Sequence, residues 1–79
     1  MEWLKIVNYK YESVVYNKES GDLHLLSTFN SELLELILEN TSQSKLINKI
    51  TESYEIEKED AEDYLDNLYT EYRNLNLID

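Results

Sequence analysis

The chain has 79 residues and a mass of 9.4 kDa, too few to divide between two independent cores, so one domain over 1–79 is expected and large enzyme folds are excluded. It has no Cys, which removes disulfides, thiolate catalysis and Cys-ligated zinc and fits a reducing cytoplasmic setting. Seventeen acids against seven bases give a net charge of −10, with residues 1–51 at −2 and residues 52–79 at −8, a distribution that disfavours both nucleic acid and anionic membrane as partners.

Residues 1–26 are rich in β-branched and aromatic side chains, and Ile6, Val7, Tyr9, Tyr11, Val14, Val15 and Tyr16 lie in short runs bounded by polar residues. Strands are predicted near 4–9, 13–17 and 22–26. Between the second and third lies Asn17-Lys18-Glu19-Ser20-Gly21-Asp22, which holds the chain's single Gly and with it the positive φ that a hairpin connection commonly needs.

After residue 27 the apolar period changes from two to about 3.6. Ser27 is positioned to cap a first helix to about Glu39, with Phe29, Leu33, Leu34, Leu36, Ile37 and Leu38 as its apolar face, and Asn40-Thr41 ends it. Ser42 caps a second helix carrying Leu46, Ile50 and Tyr54 on one stripe. A third begins near Glu57 or Lys58, where Glu57, Glu59 and Asp60 suit the positive end of the helix dipole. Its stripe is Ala61, Leu65, Leu68, Tyr72 and Leu75, with Tyr64 and Tyr69 on the shoulders and Glu62, Asp63, Asp66, Thr70 and Arg73 opposite. The longest run of large aliphatics, Leu36-Ile37-Leu38, is far short of a membrane span, and Met1 leads into no secretory apolar stretch, so a soluble, unprocessed chain is expected.

Three strands followed by three helices predict an α+β fold, a winged helix-turn-helix-like arrangement in which a three-stranded antiparallel sheet precedes three α-helices. That shape raises the question of DNA, but a reading helix needs Arg, Lys, Asn or Gln on its exposed side, and the third helix offers Glu59, Asp60, Glu62, Asp63, Asp66 and Glu71 against Lys58 and Arg73. The acids between Glu57 and Asp66 lack the alternation and turn Gly of a calcium loop and read as a solvated helix face. His24, the one His, has no second His or Cys with which to hold a transition metal and no sign of a triad around it. One Gly cannot build a phosphate-cradling loop. No catalytic residue, metal or cofactor is therefore expected, and the protein reads as non-enzymatic.

Seven Tyr in 79 residues is the compositional oddity. Tyr54 and Tyr72 fall on helix stripes and are assigned to the core, whereas Tyr64 and Tyr69 suit a surface that is partly apolar and partly wet. The residue chemistry supports a small protein-interaction module.

The segment Val14-Val15-Tyr16-Asn17-Lys18-Glu19-Ser20-Gly21-Asp22-Leu23-His24-Leu25-Leu26-Ser27 resembles "VVFN..SGDTHLLS" of the PqqD-like family, peptide chaperones and recognition elements for ribosomally synthesised precursor peptides, in the branch associated with HPr-kinase-like clusters (the HPr-rel-A system). Leu26 through Ile37 is similar without gaps to the family's "LNPTGAAIWELL", Tyr54 through Ala61 to "YDVDPEEV", and Asn76-Leu77-Ile78 to the terminal "GLL". Ser27 stands for the family Asn, Thr28 and Lys58 for Pro, and Asn30 and Asn76 for Gly, each a chemically related exchange at a cap or turn.

The resemblance implies non-catalytic binding of a precursor's leader region and its presentation to a separate peptide-modifying enzyme. In that family the peptide adds as a strand beside the third strand, with side chains in a cleft toward the third helix, a form of β-augmentation. The matching positions are Asp22, Leu23, His24, Leu25, Leu26 and Ser27 on the strand and Tyr64, Leu65, Leu68, Tyr69 and Tyr72 on the helix, with Leu23, His24, Leu25, Tyr64, Leu68 and Tyr69 ranked first. The parity of the strand stays open, and an unpaired edge allows a monomer or an edge-paired homodimer. The acidic third helix predicts a leader with apolar anchors and Lys or Arg near it, binding in a salt-sensitive way. Two rivals are a winged-helix nucleic-acid-binding regulator and a small subunit docking on a folded protein.

Overall fold

The computed structural model describes residues 2–78. Its elements run β1 (Leu4–Asn8), β2 (Glu12–Asn17), β3 (Leu23–Ser27), α1 (Thr28–Leu38), α2 (Gln43–Tyr54) and α3 (Lys58–Asn74), an antiparallel sheet followed by three helices and hence the α+β fold expected from the sequence. The chain forms two compact units, Met1–Glu35 and Leu36–Asp79.

In the first unit the strands lie in the order β1-β2-β3. A turn closed by the Tyr9 N–H on the Glu12 carbonyl (2.8 Å) joins β1 to β2. The β2–β3 loop is held by Asn17, whose buried Oδ1 accepts from the backbone N–H of Glu19 (2.9 Å) and Ser20 (3.2 Å), a local side-chain turn that Asn is chemically suited to make. Gly21 then takes φ +80°, the left-handed conformation expected of it. The register pairs Leu4 with Asn17, Ile6 with Val15 and Asn8 with Ser13, and continues from Ser13 to Leu26 and Val15 to His24. This face of the sheet is the buried one: Leu4, Ser13, Val15, Asn17 and Leu26 are buried, and Ile6 and His24 partly so. The Ser13 hydroxyl donates to Asn8 Oδ1 across the β1–β2 pair, which satisfies a hydroxyl with no access to water.

Ser27 ends β3 and starts α1, its Oγ accepting from the Asn30 N–H (3.1 Å) as an N-terminal cap. The following residue still belongs to the ladder, since the Thr28 N–H reaches the Tyr11 carbonyl (3.2 Å) and its Oγ1 the Tyr9 carbonyl (3.2 Å). Strand and helix are therefore joined with no intervening loop. Ser31, Leu33 and Leu34 are buried on α1, while Phe29, Leu36, Ile37 and Leu38 are only half-buried.

In the second unit α1 closes with Asn40 at φ +62°, the Thr41 N–H on the Leu36 carbonyl and the Asn40 N–H on the Ile37 carbonyl, both 3.0 Å, a left-handed stop that Asn tolerates. Ser42 caps α2 by accepting from the Lys45 N–H (3.4 Å). α2 and α3 pack on each other, and their buried apolar residues are Leu46, Ile47, Ile50, Ala61, Leu65, Leu68 and Tyr72, each Leu and Ile side chain contributing about 1.5–3 kcal/mol from burial. α3 ends like α1: Asn76 at φ +60°, the Leu77 N–H on the Tyr72 carbonyl (2.8 Å) and the Asn76 N–H on the Arg73 carbonyl (3.1 Å), with Leu77 fully buried. Among the described residues no helix is long and apolar enough to cross a membrane.

One expectation for the core is corrected. Tyr54 lies on the α2 stripe by spacing, yet it is 46% exposed, because it is the last residue of α2 and turns its hydroxyl to Tyr64 (3.2 Å) with the rings 5.3 Å apart.

Candidate functional site

Antiparallel pairing alternates, so the hydrogen bonds at the two ends of the β2–β3 ladder settle which backbone groups are already used. The Asn17 N–H bonds to the Asp22 carbonyl at one end and the Thr28 N–H to the Tyr11 carbonyl at the other. Counting in twos along the register, Val15–His24 and Ser13–Leu26 are the hydrogen-bonded pairs, and Tyr16–Leu23 and Val14–Leu25 the non-bonded ones. The N–H and C=O of Leu23 and Leu25, and the N–H of Ser27, therefore point away from β2 toward the open edge of the sheet. Among the described residues no further strand pairs with β3, and the N-terminal strand β1 is bonded to the opposite side of β2. The edge is formed and its polar groups are aligned.

Side-chain parity follows from the same register. His24 and Leu26 belong to the buried face, Leu26 being 8% exposed, whereas Leu23 and Leu25 stand on the open face at 60% and 65% exposure. Asp22 and Ser27 are exposed, and Ser27 is committed to capping α1. His24 Nε2 is shut off from solvent without a hydrogen-bond partner.

Of the α3 positions singled out in the sequence, Leu65, Leu68 and Tyr72 are buried and Tyr64 and Tyr69 half-buried. The Tyr64 hydroxyl meets that of Tyr54, and the Arg73 guanidinium lies 5.7 Å over the Tyr69 ring, one helical turn away. Burial, together with the neighbouring charge of Glu71 and the Tyr64 phenol, pushes the Tyr72 phenol far above the usual tyrosine range, so it stays neutral at every physiological pH. The acids Glu59, Asp60, Glu62, Asp63, Asp66 and Glu71 are all exposed. An open groove of about 400 Å³ between α2 and α3 is lined by Gln43, Ser44, Ile47, Asn48, Lys58 and Glu62 and contains none of the peptide-binding positions expected from the sequence.

Residues absent from the sequence-based site share the open face of the sheet with Leu23 and Leu25. In cross-strand rows they are Lys5, Tyr16 and Leu23, then Val7, Val14 and Leu25. Val7 and Tyr16 are exposed at 38% and 36%, and Val14 is half-buried. Only the pairing register reveals this face, since Val14-Val15-Tyr16 is apolar at every position.

No family model matches the sequence, and no curated protein does. Among solved structures the chain is similar to TbiB1 in complex with the TbiA(beta) leader peptide, with a TM-score of 0.81, 17% identity, and coverage of 98% of this chain and 90% of that one. A likeness of this extent at so low an identity establishes a shared fold.

Proposed function

We propose that the chain, residues 1–79, is a non-catalytic, PqqD-like peptide-recognition module. It binds the leader region of a ribosomally synthesised precursor by strand addition to β3 and presents it to a separate modifying enzyme. The observation that carries this reading is the unpaired β3 edge, where the N–H and C=O of Leu23 and Leu25 lie ready to extend the ladder. Each new main-chain hydrogen bond contributes about 0.5–1.5 kcal/mol net, and the edge is preorganised, so ordering cost falls on the peptide alone. The occupant is carried over from the leader peptide bound to TbiB1, whose fold this chain shares. Tyr64 and Tyr69 supply the helix contacts that the family resemblance implies. The exposed acids of α3 favour a leader bearing Lys or Arg and oppose a phosphate backbone.

The test is an amide chemical-shift titration with leader peptides from precursor genes adjacent to the coding gene. Perturbations at 22–27, with slowed exchange of the Leu23 and Leu25 amides, are expected, together with a second set at 64–72. Shifts confined to other residues, or tight binding of generic duplex DNA at low salt, would overturn the proposal.

A further inference from the structure

The open face of an antiparallel sheet is ordinarily polar. Here its two central cross-strand rows are apolar apart from Lys5, and Glu12 and Ser27 make up the next row. Within those rows the exposure is graded. It is 36–38% at Tyr16 and Val7, and 60–65% at Leu23 and Leu25, the most exposed aliphatic side chains among the described residues. A second sheet or a folded partner laid on this face would centre on the middle strand, where Val14 is already half-buried. The uncovered apolar surface instead lies along the free edge.

That position has one geometric consequence. Leu23 and Leu25 are the residues whose backbone groups point to the edge, and residues paired across strands share a face. Residues of an added strand that lie directly opposite Leu23 and Leu25, in either strand direction, therefore set their side chains on the open face beside them. We infer that the peptide recognised at β3 is an extended segment with two apolar side chains two residues apart, seated on the open face against Leu23 and Leu25 and extending the Val7-Val14-Tyr16 patch. The inference rests on the strand-addition reading and specifies its ligand. Two copies of the chain, each at −10, repel one another and are the weaker occupant.

The experiment selects a phage-displayed random dodecapeptide library on the wild-type protein and measures the enriched peptides against Leu25→Ser, Leu23→Ser/Leu25→Ser and Leu25→Pro. Thermal melts confirm that each variant is folded. Leu25→Ser keeps the edge N–H and removes the side chain; Leu25→Pro removes both, and Pro is tolerated where the N–H faces outward. The expected result is enrichment of apolar residues at i and i+2, a tenfold or larger loss of affinity for the double Ser variant, and a further loss for Leu25→Pro beyond that of Leu25→Ser. Exchanging the two apolar peptide residues for Ser should cost little more once the double Ser variant is used, as expected of coupled partners. Wild-type affinity in the double Ser variant with a weakened Leu25→Pro overturns the open-face subsite and leaves strand addition standing. Equal affinities for Leu25→Pro and Leu25→Ser overturn strand addition itself, as does a selection that enriches nothing. A dimer in sedimentation that the double Ser variant dissolves assigns the face to a second copy and overturns the inference.

Discussion

Proline substitution along β3 tests the geometry on which the function depends, because tolerance should alternate with the ladder. His24→Pro deletes the N–H given to Val15, whose residue is fully buried. Leaving the buried Val15 carbonyl without a donor costs about 1–3 kcal/mol, near ~2 kcal/mol at the middle of that range. A domain of this size has roughly 4–12 kcal/mol of stability in all. At about 4–8 °C per kcal/mol for small domains, His24→Pro should lower Tm by roughly 8–16 °C. Leu25→Pro deletes an N–H that faces the open edge, loses no ladder bond, and should change stability by no more than about 1 kcal/mol. His24→Ala isolates the contribution of the imidazole, whose Nε2 lacks a partner. Circular-dichroism melts with parallel urea titrations supply the readout, and amide exchange should be slow at His24 and Leu26 and fast at Leu25. Equal losses for the two Pro variants, or a larger one for Leu25→Pro, would refute the register and with it the open edge of β3.

Glu55 caps α2 at φ +54°, a conformation that costs a residue with a Cβ about 1–2 kcal/mol, so Glu55→Gly should raise stability by roughly 0.5–1 kcal/mol in urea unfolding despite the added backbone entropy. Tyr72 is held protonated in the folded chain above the pH at which it ionises in the unfolded chain. Its contribution is therefore complete below about pH 10 and declines as pH rises beyond, by up to about 1.4 kcal/mol per unit. Tyr72→Phe should flatten the fall in urea midpoint between pH 9 and pH 12, and an unchanged slope would contradict the assignment. Basic leader peptides should bind less tightly as salt is raised, and Asp63→Asn/Asp66→Asn should flatten that dependence in fluorescence titrations. Affinity independent of salt would separate the acidic face of α3 from recognition.

Local chemistry carried much of the architecture. Ser27 and Ser42 announce helix starts because a hydroxyl can satisfy an orphan N–H, and Asn40 and Asn76 announce stops because Asn tolerates the left-handed region. Glu55 takes the same conformation with no such signal in its side chain, since the short connection between α2 and α3 requires it there. The stripe on α3 is explicit in its spacing, and Ala61, Leu65, Leu68 and Tyr72 are buried accordingly. Tyr54 obeys the same periodicity and is nonetheless exposed, because position at a helix end outweighs position on a stripe.

What the amino-acid order determined unaided is the succession of three strands and three helices, their caps and the concentration of acid in the last third; propensity, capping and charge all act over a few residues. Leu23-His24-Leu25-Leu26 has no clean alternation, so its parity could not be read from the order of residues. Which edge of the sheet is open, and which leucines face outward along it, follow from the pairing of β2 with β3. Hydrogen-bond register is a relation between two strands, and it exists only once the tertiary structure has brought them together.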